Sequence, residues 1–137
     1  MAYPTAPAVP IGQFNVPSPY PSGATPINAT SGDVAAAVAA ATLAAASGKT
    51  TYIAGFTFTS TGSTSAATVD ITVTDGTWTV TFVQVSVAGA ATANQMLNIH
   101  FPYPLPASAA NTTIVASAPS LGTGNLHACM NAYGFQA

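Results

Sequence analysis

A chain of 137 residues with 3% charged side chains, against about 25% in ordinary soluble domains, builds one domain and leaves little charge to guard its surface against association. Its one lysine, lack of arginine and formal net charge of −2 exclude a phosphate-binding surface, and with it nucleic acid as a partner. No apolar run approaches the roughly 20 residues of a membrane-spanning helix, so no membrane span is expected.

Residues 1–30 hold seven of the eleven prolines: Pro4, Pro7, Pro10, Pro17, Pro19, Pro21 and Pro26. Proline fixes φ and donates no hydrogen bond, so this segment is expected as an extended arm rather than a helix or central strand. A bare linker needs no anchors. Here Tyr3, Ile11, Phe14, Val16, Tyr20 and Ile27 are spaced along the arm with no charge between them. That pattern suits partner binding in a groove on a neighbour.

Residues 31–137 form the expected folded domain. Residues 34–46 have helix propensity, with Asp33 placed as an N-cap. Yet Val34, Val38 and Leu43 are few anchors for a helix, and a strand of small side chains is the alternative. Residues 50–60, TTYIAGFTFTS, alternate, which puts Tyr52, Ala54, Phe56 and Phe58 on one face and Thr51, Thr57 and Thr59 on the other. After a loop at 61–66, Val69, Ile71 and Val73 alternate with Thr68, Asp70 and Thr72, and Asp75-Gly76 marks a hairpin. In the returning strand, 77–87, the apolar phase passes from Trp78, Val80 and Phe82 to Val83, Val85 and Val87, which predicts a bulge or a crossing between sheets. Residues 96–101 form a strand whose pairing Pro102, Pro104 and Pro106 are expected to end. Strands over 112–118 and 125–135, joined by a glycine-containing turn, complete the chain. Seven to eight short strands at regular spacing predict an all-β antiparallel sandwich or barrel.

Chemistry-bearing residues are few. Asp75 belongs to its turn and Asp70 to an outward strand position, so neither suggests acid–base work. His127, Cys129 and Asn131 share one face of the last strand. With His100 they could suggest a metal or a Cys–His pair, but one subunit offers too few ligands. Half-buried polar contacts at a subunit interface are the preferred assignment. Phosphate loops, nucleophile elbows and zinc motifs are absent, so no catalytic residue, cofactor or metal is expected, and the chain is not expected to be an enzyme. Cys129 is the single cysteine, which excludes an internal disulfide and any need for an oxidising compartment. Met1-Ala2-Tyr3-Pro4 lacks the basic and apolar regions of a signal peptide. Trp78 and Tyr103 leave open a carbohydrate-binding module that stacks sugars on aromatic rings, although the phase of Trp78 favours the core.

Two blocks, SGDVAAAVAAATLAAASGKTTYIAGF and LNIHFPYPLPASAANTTIVASAPSLGTGNLHACMNAYGF, with the Ala-Thr-Val strands between them, resemble small virion proteins of tailed bacteriophages. The resemblance covers roughly residues 31–137 and is to head decoration or cement proteins. It implies a jelly-roll β-sandwich, assembly as a homotrimer, and a place on the phage head surface after assembly in the host cytoplasm. Its partner there would be the major capsid protein or other virion proteins. The same resemblance favours a strand over 34–46. A tail, neck or fibre component is the nearest alternative role.

Overall fold

In the computed structural model, which describes residues 20–89 and 91–137, the alternating segments form eight strands: β1 (Thr25–Thr30), β2 (Ala39–Leu43), β3 (Thr51–Thr61), β4 (Ala67–Thr74), β5 (Thr79–Ser86), β6 (Leu97–Pro106), β7 (Ile114–Ala118) and β8 (His127–Gln136). No helix occurs among the described residues. β1 pairs with β8, β2 with β7, β3 with β6 and β4 with β5, all antiparallel. These pairings describe one long hairpin ribbon whose closing turn is Asp75-Gly76, with Gly76 at φ 90°. Rolling that ribbon adds the β3–β8 and β4–β7 pairs and gives two sheets, β1-β8-β3-β6 and β2-β7-β4-β5. The expected all-β jelly-roll-like sandwich is therefore the observed fold. Its core lies between the sheets. Phe56, Phe58, Leu43, Ile71, Val73, Ile114 and Met130 are fully buried there, and each large side chain contributes roughly 1.5–3 kcal/mol on leaving water.

The structure corrects several expectations. The face of β3 inverts at a bulge beside Ala54, where its register with β6 and β8 shifts between Ile53 and Gly55. A one-residue slip exchanges the two faces of a strand. Thr51 and Ile53 therefore point into the core before the bulge, Phe56 and Phe58 after it, and Tyr52 points outward. Gly134 sits opposite this bulge, where a Cβ would overlap the carbonyl oxygen of Tyr52.

β5 has no phase switch. Its register with β4 is unbroken from Thr79 to Ser86, so Val83 and Val85 stand 65% and 64% exposed. Gln84 and Ser86 take the inward sites instead, and hydrogen bonds to the carbonyls of Gln95 and Ala67 satisfy them. β6 continues past Pro102. After His100 opposite Gly55, pairing resumes at Leu105 opposite Ile53; between them Phe101 packs against the core while Pro102 and Tyr103 stand exposed. An edge strand tolerates this because one side of it donates to no partner.

Residues 39–43 form a strand, as the resemblance implied. β2 buries Ala39, Ala41 and Leu43 and pairs with β7 along its whole length, so tertiary pairing overrides helix propensity. β1 lies inside the segment assigned to the arm. Pro26 is accommodated there because β1 is a sheet edge.

Candidate interaction surfaces

Of the six arm anchors, Tyr3, Ile11, Phe14 and Val16 lie outside the described residues. The other two contact their own sandwich. Ile27 on β1 packs against the core. The Tyr20 ring lies 5.1 Å from that of Phe135, which stacks on Tyr52 at 4.6 Å and 9°. This aromatic cluster sits on the outer side of the first sheet, because the bulge turned Tyr52 outward and Phe135 shares its register. It ties the start of the described chain to the sheet.

His127, Cys129 and Asn131 do share the outer face of β8, with Ala128, Met130 and Ala132 buried on the other side. His127 Nδ1 lies 2.7 Å from Asp33 Oδ2. Both side chains are exposed, so the pair contributes about 0–1 kcal/mol. The Cys129 sulfur is contacted by Thr30 Oγ1 at 3.8 Å and by the Asn131 amide at 3.6 Å. An open cleft of about 420 Å³ lies here, lined by Asp33, Thr59, Thr61, His127 and Cys129 among others. His100 stands elsewhere, opposite Gly55, with its Nδ1 3.2 Å from the Tyr133 hydroxyl. Among the described residues no group of three or more His, Cys, Asp or Glu is placed to hold a metal. The outer face of this sheet thus presents hydroxyl, amide and imidazole groups suited to hydrogen bonding, with Asp33 beside His127 at its margin.

Antiparallel alternation gathers the loops after β1, β3, β5 and β7 at one end of the sandwich. Two buried asparagines, neither singled out from sequence, hold that end. Asn125 Nδ2 donates to the carbonyls of Thr61 and His127, each at 2.9 Å, and Asn125 Oδ1 accepts from the Ala36 amide at 3.1 Å. Asn94 Oδ1 accepts from the Val87 amide at 2.6 Å, and its Nδ2 donates to Ser60 Oγ at 2.9 Å. A loop asparagine has no pattern that marks it as buried; only the meeting of the loops reveals these two.

Asp75 holds the opposite end. Its Oδ1 accepts from the amides of Thr77 and Trp78, and its Oδ2 from the amide of Ser108 at 2.6 Å. Desolvation raises its pKa, but hydrogen bonds from Ser108, Trp78 and Thr77 outweigh that and hold it well below the usual carboxylate range. Trp78 is half-buried against the core and donates its indole N–H to the Pro106 carbonyl at 3.1 Å. Tyr103, on β6, is 86% exposed.

Neither family models, curated proteins nor solved structures gave a match to this chain.

Proposed function

We propose that this chain is a structural virion protein of the capsid decoration or cement type. In this role it assembles as a homotrimer and bridges subunits of the major capsid protein on a phage head. The observation that carries this reading is the surface of the sandwich. The outer face of the first sheet carries exposed Thr and Asn and that of the second carries Thr and exposed Val, on a chain with 3% charged residues. Such a surface is suited to being covered. Ahead of it in sequence stands an uncharged segment carrying Tyr3, Ile11, Phe14 and Val16, which reaches across neighbouring capsid or decoration subunits. Apolar burial at about 25 cal/mol per Å², repeated over many copies, makes a chain of this kind an effective clamp.

Because almost no charge takes part, binding depends little on ionic strength. Purified chain is expected to co-sediment with the phage's own capsid shells equally at low salt and in molar NaCl. Steep loss of binding at modest salt would overturn the apolar clamp. The exposure of Tyr103 favours a second reading, a carbohydrate-binding surface. Soluble-glycan binding that is lost in Tyr103→Ala would establish it.

A further inference from the structure

A sheet edge presents unpaired N–H and C=O groups, and folded proteins blunt such edges with proline, charge, bulges or shortness. Three of the four edges here are blunted in this way. β1 carries Pro26. β2 is five residues long. β6 carries Pro102, Pro104 and Pro106 and a bulge. β5 has none of these devices. It runs eight residues, TVTFVQVS, with no proline, no charge and an unbroken register to β4. Among the described residues it has a strand neighbour on one side only. Its outer row shows Val83 and Val85 to solvent. An edge of this kind is a template for a further strand.

The chain itself contains a segment that fits. Between residues 1 and 19, the longest proline-free run is Ile11-Gly12-Gln13-Phe14-Asn15-Val16, bounded by Pro10 and Pro17; every other run has three residues or fewer. It alone offers more than three consecutive residues to a ladder. The side chains match as well. Laid antiparallel to β5 with Asn15 opposite Gln84, the segment sets Phe14 opposite Val85, Val16 opposite Val83, and Gln13 opposite Ser86. Apolar side chains then meet apolar ones on the outer face, and polar meet polar on the inner. Aromatic and β-branched cross-strand pairs are the favourable kind. Neither partner carries a charge, so none is buried.

We propose that residues 11–16 of one copy add as a fifth strand to the β2-β7-β4-β5 sheet of a second copy, at the β5 edge. This rests on the assembly reading above and names the surface that receives the arm. The contact joins two different surfaces, so it closes either as a reciprocal exchange between two copies or as a ring, of which a trimer is one.

The test uses full-length chains with Cys129→Ser. One chain carries Phe14→Cys and the other Val85→Cys, mixed under mild oxidation. A reducible species of two chains is expected from the mixture, and not when Val38→Cys, at an exposed position before β2, replaces Val85→Cys. Separately, Val85→Lys is expected to weaken self-association about tenfold or more while the monomer stays folded, because the site is exposed and lysine guards edges. Crosslinking of the Val85→Cys chain alone, as strongly as in the mixture, would mean that β5 pairs with β5 and would overturn the proposal. Intact assembly with no mixed crosslink and no effect of Val85→Lys would overturn it while leaving the assembly reading standing. A wild-type chain that is monomeric at every concentration would remove both.

Discussion

Asn125 is 1% exposed, and its amide ties together the end of β3, the start of β8 and the segment after β1. Replacing it with alanine orphans the carbonyls of Thr61 and His127 and the amide of Ala36, which now meet it at 2.9–3.1 Å. At about 1 kcal/mol for each backbone group left unpaired, the loss is about 3 kcal/mol. Against a total stability of about 5–15 kcal/mol, that is a large fraction. At roughly 3–5 °C per kcal/mol for a chain of this size, the melting midpoint falls by about 10–15 °C. Asn125→Asp keeps the acceptor for Ala36 but sets a carboxylate against two carbonyls, so it is expected to be at least as damaging at neutral pH. Asn28→Ala, on the exposed side of β1, is the control and stays within about 0.5 kcal/mol of wild type. Urea and thermal unfolding followed by circular dichroism measure all three. An Asn125→Ala chain within about 1 kcal/mol of wild type would show that water replaces the amide and that the loops hold without it.

Two further substitutions probe the frame of the sandwich. The Asp75 pKa is depressed on folding, so its contribution is fully present above the unfolded value of about 3.9 and is lost as pH falls below it. The wild-type urea midpoint is therefore expected to drop between neutral pH and pH of about 3 by more than that of Asp75→Asn; equal drops would remove Asp75 as the acid-sensitive link. Gly134→Ala places a methyl group on the Tyr52 carbonyl, and backbone there cannot move without breaking the β3–β8 ladder. It is expected to yield insoluble or unfolded chain, and a soluble variant with an unchanged melting midpoint would contradict that close approach.

Much of the fold was legible because local signals and pairing agree. Asp75-Gly76 between two alternating runs marked the β4–β5 hairpin, and that hairpin closes the whole ribbon. The inversion of β3 was hidden. It depends on the register of two partner strands and on the room left by Gly134, which one strand's alternation does not encode. In β5 the outward valines are as apolar as the inward row, so hydrophobicity alone suggested a switch. The register instead sends Gln84 and Ser86 inward, where hydrogen bonds make them acceptable. The shared face of His127, Cys129 and Asn131 was legible from period two alone. The roles of Asn94 and Asn125 were not, since they arise where loops distant in sequence meet. Tyr20 and Ile27 contact their own sandwich, which apolar spacing alone does not encode, because it does not say whose surface receives a side chain.

Light scattering behind size exclusion, on the full chain from low salt to molar NaCl, tests the structural role most directly. The expected result is a mass of three 13.5 kDa chains that persists at high salt, because apolar and backbone contacts rather than charge hold them. A monomer at every concentration would show that this neutral surface is solvated on its own, and would contradict the assembly on which the proposed role depends.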